Sequence, residues 1–275
     1  MGFKFDHLVH FVNSPSDAIK EYNTLGLHAT EGGKHENFGT FNSLSYFDLS
    51  YIELISVFNQ HLVESASKTK YSLRESIQND NYAEGLSRIA LRSNNLEADA
   101  ERFKKLGLEV FGPSAMYRRR PDGSLVSWRL LHVGKPQGNL ELPFFIQWDE
   151  EDEERKQDLI NRSVIAEHSE GDISLSSVAF AVNDIENVIK NWSNYLKLEA
   201  DVPFIDKSLN ANGQRLILDG GDIVFYSPIG EGIVSQVLKT RGEKPFLVEF
   251  AGSKQTEDFQ ILGATYRFIK KEKGR

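Results

Sequence analysis

YNTLGLHATEG (residues 22–32), FKKLGLEVFG (103–112), YLKLEADVP (195–203) and FQILGATYRF (259–268) lie over one another, and each reads as a helix end running into a strand. Gly26, Gly107 and Gly263 stand where a helix needs a left-handed residue to finish, a conformation glycine adopts without steric cost. The third copy carries Lys197 at that place.

Working outward, an alternating strand and a helix start precede each of the first three copies: DHLVHFV then Asn13-Ser14-Pro15, SRIALRS then Asn94-Asn95, SSVAFAV then Asn183-Asp184. Asn, Ser and Asp there accept the free amide hydrogens of a first helical turn. Two further strands follow in each unit: FNSLSYF with YIELISV, SWRLLHV with PFFIQW, and QRLILDG with DIVFYSP. The fold class is therefore α+β, with βαβββ units at about 5–58, 85–149 and 173–229. A truncated fourth, a strand-helix-strand from Phe246 to Lys270, completes the pattern. Each unit has one amphipathic helix and a half-exposed sheet, so units must pair to bury their apolar faces. Unit one with two, and three with the fragment, gives two domains of cupped mixed sheets, 1–150 and 151–275. Asn59 to Glu84 and Glu150 to Asp172 read as connectors, the second beginning within the acidic run DEEDEER, a solvated helical face.

With 40% hydrophobic and 11% aromatic residues, 275 positions bury a full core, which excludes a disordered chain. The net charge of -8 argues against nucleic acid as a main partner, since phosphate neutralisation needs an excess of Lys and Arg. There is no cysteine, so disulfides, thiolate nucleophiles and Cys-based metal sites are excluded. No apolar run has the length of a signal peptide core or a membrane span. The expectation is a cytoplasmic protein without a membrane partner.

The βαβββ repeat, with FDHLVHFV opening the chain and SYIELISV closing the first unit, resembles the vicinal oxygen chelate superfamily, which includes glyoxalase I, extradiol dioxygenases and bleomycin-resistance proteins. Within it, GGKHENFGTFNSL (32–44) and LPFFIQW (142–148) resemble a glyoxalase-like domain. The resemblance implies that each unit supplies one metal ligand from its first strand and one from its last. It places these on His7 and Glu53. The strand pattern agrees in direction, because Tyr51, Glu53 and Ile55 share one face and His7 lies opposite His10.

In the second unit the same alignment reaches Arg88 and Gln147, and in the third Ser177 and Val224. Arginine cannot ligate a metal, since it stays protonated and offers no lone pair. Two accounts of His7 and Glu53 stand open. In one, a divalent metal is held by His7, Glu53 and a third group, Gln147 or His35, and acts as a Lewis acid on substrate oxygens, with Glu53 also moving a proton. In the other, Arg88 pairs with Glu53 and His7 is a cavity-wall residue. YRRRPDGSLVSWRLL (117–131) places Arg118, Arg119 and Arg120 at a hairpin tip, where guanidinium forks suit capture of a substrate carboxylate or phosphate, but the favoured reading of the run is a solvated basic loop. Trp128, Arg129 and Trp148 are candidates for an aromatic and cationic wall around a small organic ligand, whereas His132 reads as a sheet residue.

Two function classes follow. One is a divalent-metal-dependent lyase, isomerase or dioxygenase acting on a small oxygen-bearing molecule. The other is a metal-free binding or resistance protein that sequesters a small molecule. The edge left by an incomplete fourth unit calls for a cover, for which a homodimer is one solution.

Overall fold

The computed structural model describes residues 2–136, 138 and 140–270. The first unit comprises β1 (Lys4–Phe11), α1 (Pro15–Thr24), β2 (Thr30–His35), β3 (Thr40–Phe47) and β4 (Ser50–Val57). Two short helices, α2 (Gln60–Ala66) and α3 (Leu73–Asn79), connect it to the second unit. That unit is β5 (Gly85–Arg92), α4 (Leu96–Lys105), β6 (Glu109–Arg119), β7 (Leu125–Gly134) and β8 (Phe144–Trp148). After α5 (Asp152–Asn161) come β9 (Ser174–Ala181), α6 (Ile185–Leu196), β10 (Phe204–Asp206), β11 (Ala211–Leu216) and β12 (Asp222–Pro228). The chain then runs through α7 (Ile233–Arg241), β13 (Pro245–Ser253), β14 (Glu257–Ile261) and β15 (Ala264–Lys270).

Local chemistry repeats with the units. Ser14, Asn95 and Asp184 accept the amide hydrogens of Asp17, Ala98 and Asn187 and start α1, α4 and α6. Gly26 (φ 74°) and Gly107 (φ 78°) follow the helix ends, their amides donating to Asn23 and Lys104 carbonyls. Lys197 takes the same left-handed conformation (φ 57°) without the help of glycine.

The fourth unit corrects the expectation of a strand-helix-strand. FQILGATYRF contains no helix end: it is the β14–β15 hairpin, and its Leu262-Gly263 pair (φ 48° and 77°) forms the turn. Both central residues have positive φ, as tight hairpin turns require. Only residues 254–256 separate β13 from β14, too short a stretch for a helix.

Strands of the first two units close a barrel in the order β1-β4-β3-β2-β6-β7-β8-β5. Strands of the third and fourth form an open sheet, β10-β11-β12-β9-β13-β15-β14. In both, the first strand of one unit pairs antiparallel with the first strand of the next, β1 with β5 and β9 with β13. One large core lies between α1, α4, α6 and the outer faces of both sheets, holding Phe5, Tyr22, Phe103, Phe145, Phe225 and Tyr266. The barrel interior has its own cluster: Val9, Phe11, Ile55, Ala90, Trp128, Leu130, Phe144 and Ile146, plugged by Leu73 and Ile77 of α3. His10 ties the two layers, its Nδ1 2.8 Å from Tyr266 Oη and its Nε2 2.8 Å from the Leu262 carbonyl. Among the described residues no helix is long and apolar enough to cross a membrane.

Candidate functional site

Strand alternation aims Tyr51, Glu53 and Ile55 of β4 into the barrel, while Ile52 and Leu54 face the helices. His7, Asn42, Arg118, Trp128, Phe144 and Trp148 join them from β1, β3, β6, β7 and β8, with His35 at the end of β2 and Arg74 from α3. Together they enclose a chamber of about 30 Å³. Roughly 10–15 Å³ holds one water, so the space admits a group of only a few heavy atoms.

The chamber is strongly polar on one side. His7 Nδ1 lies 2.7 Å from Asp6 Oδ1, and its Nε2 turns toward Glu53 Oε2 at 3.8 Å. Asp6 is fully buried; desolvation alone would raise its carboxyl, but the His7 bond and the charges of Arg155 and Arg92 outweigh that and hold it at about 2. It also accepts from Trp148 Nε1 (2.9 Å) and Arg92 Nη1 (3.2 Å). An ionised Asp6 can only accept, so His7 Nδ1 donates to it and the ring is held with Nε2 facing the chamber. Glu53 Oε1 accepts from Asn42 Nδ2 at 2.5 Å, and Asn42 Oδ1 in turn accepts from Arg118 Nη1 at 3.1 Å.

Arg74 supplies a second cation. It is buried, and its guanidinium lies over the Phe38 ring, 4.6 Å from the centroid. Burial pulls it down to about 10 against the opposing charge of Glu53, so it stays protonated at neutral pH. His35 is pushed well below its ordinary range by burial and then by Arg74 and Arg118, and is neutral. Its Nδ1 lies 2.9 Å from Thr40 Oγ1, and its ring meets Trp128 edge-on.

The sequence-derived residues divide clearly. His7, Glu53, His35, Trp128 and Trp148 all line the chamber. Arg88 does not meet Glu53: it donates to Ser76 Oγ and the Tyr71 carbonyl, both at 3.0 Å, and to the Leu142 carbonyl, with Glu141 at 3.5 Å. Gln147 points out of the barrel and accepts the amide of Leu96 at the start of α4. Arg129, also outward, pairs with Glu97. The register explains the misplacement of Gln147. Val9 pairs with Glu53 and Ala90 with Phe144, so the position matching Glu53 in the second unit is Phe144, three residues earlier. Gln147 lies near the end of the short β8, whereas pairing with β5 begins at its start.

The basic triplet also separates. Arg119 pairs with Glu36 on the surface, Arg120 with Asp158, and Arg118 is buried in the chamber wall. Arg74 and Asn42 were not singled out, nor was Asp6. A reading of alternation in FNSLSYF would have put Asn42 on the face that Glu53 uses; Arg74 lies in a connector and carries no such signal.

The donor set does not fit a divalent metal. The positions corresponding to His7 and Glu53 in the second unit hold Arg88 and Phe144, and two guanidiniums line the same space. Among the described residues no three His, Asp or Glu side chains group so as to hold a metal ion.

Outside the barrel, a groove of about 340 Å³ runs over the seam where β2 meets β6, lined by Lys34, Phe41, Asn42, Arg119 and Pro121 among others. Asn42 is the residue common to groove and chamber. The seam is closed by a single pair, Lys34 with Arg119. A side chain at Gly33 would strike the Arg119 carbonyl at 2.1 Å, so the close approach requires glycine there.

A barrel made from two βαβββ units, with polar side chains from the first and last strands turned inward, is the architecture of the vicinal oxygen chelate superfamily. The chain belongs to its glyoxalase-like domain family, whose model matches residues 5–196. A hypothetical protein from Staphylococcus aureus is similar over 98% of this chain and 99% of its own, with 25% identity and a TM-score of 0.78. A mutant of 4-hydroxymandelate synthase from Streptomyces coelicolor is similar in fold over 92% of this chain and 72% of its own, at 10% identity and a TM-score of 0.58. No curated protein matches the sequence significantly.

Proposed function

We propose that this chain binds a small oxygen-bearing organic molecule in the barrel chamber and holds it with side chains instead of a chelated metal. The observation that carries this reading is the substitution of the ligand set: beside His7 and Glu53 stand Arg88 and Phe144 at the matching positions and Arg74 and Arg118 on the walls. Two cations raise the energy of a dication in the same enclosed space, whereas they attract the oxygens of an organic ligand. Trp128, Phe144 and Tyr51 give that ligand flat apolar walls.

Untagged protein assayed for bound metal, with melting curves under chelator and added divalent ions, tests this. The expected result is substoichiometric metal and a midpoint indifferent to both. Stoichiometric metal that is lost in His7→Ala would overturn the reading.

The Asp6–His7 pair favours a second reading, in which the bound molecule is also deprotonated. With Nδ1 bonded to an ionised carboxylate, His7 Nε2 is placed as a general base, and Glu53 lies beside it to receive or return the proton. Deuterium exchange into a bound ligand bearing an acidic C–H, absent in His7→Gln, is the expected sign of this activity.

A further inference from the structure

The two arginines of the chamber lack what buried arginines ordinarily have. Arg92 and Arg155 sit near the Asp6 carboxylate and Arg88 near Glu141. Arg118, in contrast, bonds a neutral amide, that of Asn42, and Arg74 rests on the ring of Phe38. The Nε atom of each is buried without a hydrogen-bond partner, as it is in Arg88 and Arg155, but unlike those two neither Arg74 nor Arg118 has a carboxylate in ion-pair range among the described residues. Both residues are more than nine-tenths buried, at 5% and 8% exposure. An uncompensated guanidinium in an apolar enclosure is strongly disfavoured, and here two share one wall.

The chamber is short of a negative charge. Facing it are the guanidiniums of Arg74 and Arg118 and the carboxylate of Glu53, with His35 neutral and His7 held between Asp6 and Glu53. Asp6, behind His7, is already matched by Arg92 and Arg155. The lining therefore carries two guanidiniums against one carboxylate, an excess of at least a single positive charge. The space of about 30 Å³ is too small for a bulky dianion such as a phosphate ester with its shell of oxygens. A planar group of three heavy atoms with one negative charge fits both limits, and a guanidinium fork matches it in shape.

We infer that the chamber is a carboxylate site, in which Arg74 and Arg118 hold the carboxylate of a compact monoanionic organic acid while Trp128 and Phe144 pack its apolar part. This rests on the reading that the chamber takes an organic ligand and not a metal. It goes further by naming the chemical class. It also assigns Glu53 a role opposite to that of a ligand-holding group: its charge competes with the bound acid for the two arginines, so binding is weaker in its presence.

Two of the three tryptophans, Trp128 and Trp148, line the chamber, so ligand binding is read by intrinsic fluorescence. The full chain is titrated with acetate and propionate, and in parallel with acetamide and propionamide, at constant ionic strength set by chloride. The expected result is a saturable change with the acids, in the millimolar range, and binding weaker by about tenfold or more for the amides. Arg118→Gln and Arg74→Gln are each expected to weaken acid binding by about tenfold or more, with Arg118→Lys intermediate because it keeps the charge and loses the fork. Glu53→Gln is expected to tighten it. If an arginine variant does not fold, the acid-to-amide ratio of the wild type and the Glu53→Gln titration still decide the matter. Equal binding of acids and amides would overturn the anionic class while leaving the organic-ligand reading intact. No saturable response to any of the four probes would overturn the carboxylate site. A metal-dependent midpoint that disappears in Glu53→Gln would overturn both.

Discussion

The barrel and the open sheet begin from the same repeat and end differently, and one strand accounts for it. Aligned on β1 with β9 and β5 with β13, the barrel order β2-β3-β4-β1-β5-β8-β7-β6 corresponds to β10-β11-β12-β9-β13-β15-β14 with nothing in place of β6. The fourth unit lacks its helix and the strand after it, which is the strand that in the barrel reaches β2 and closes the ring. The open half also fills its concave face. Val234 of α7 packs there with Ala179, Ala181, Val224, Tyr226 and Leu247. The connecting helices of the barrel plug its end less completely and contribute Arg74 to what remains. An enclosed polar chamber therefore depends on closure, and the repeat alone does not supply it.

The contrast is tested most strongly at the carboxylates of the two halves. Asp6→Asn removes the carboxylate that pairs with buried Arg155 and one of the two that pair with Arg92, which keeps Asp152 at 3.0 Å, and is expected to cost about 3 kcal/mol, measured by urea unfolding. A loss no greater than that of a surface change would show that the barrel's polar interior is not electrostatically coupled. The next effect is on acid stability. Burial first, then the charge of Arg241, outweighs the Leu262 bond and lowers His10 from 6.5 to about 4. The unfolded chain then binds a proton that the folded chain refuses, so stability is full above pH 6.5 and falls as the pH drops toward 4. The full shift is worth about 3 kcal/mol, and His10→Gln is expected to flatten this part of the pH profile.

Glu53→Gln comes third. It leaves Arg74 and Arg118 without the one carboxylate that shares their chamber, with an expected loss of about 1–3 kcal/mol that added acetate partly restores. Thermal melts with and without acetate check both parts. In the open sheet, Glu249→Gln should cost less, about 1 kcal/mol, because Arg267 keeps Asp258 at 2.8 Å through two nitrogens and loses only a contact of 3.6 Å. A larger loss than for Asp6→Asn would reverse the ranking of the halves. The smallest effects belong to outward residues. Gln147→Ala should lower stability by about 1 kcal/mol through the start of α4, and Arg129→Ala by roughly 0.5, both leaving chamber fluorescence unchanged.

Much of the architecture was legible because it is written in local chemistry. Ser14, Asn95 and Asp184 mark helix starts, Gly26 and Gly107 mark helix ends, and alternation in YIELISV turns Glu53 inward. Gly263 misled for a definite reason: a left-handed glycine ends helices and also turns hairpins, and the difference lies in what precedes it.

Readable from the chain without its fold are the repeat, the cap positions and the inward face of the first unit, including His7 and Glu53. Each of these depends on interactions between near neighbours in the chain, or on a strand's period of two. Tertiary structure alone decided that Phe144 and not Gln147 faces His7, that Arg88 finds Ser76 and Glu141, and that Arg74 and Arg118 stand around Glu53. Strand register between β5 and β8 and the docking of α3 into the barrel mouth are set by packing across long separations. A shift of one residue in such a register exchanges the buried and exposed faces without altering any local signal.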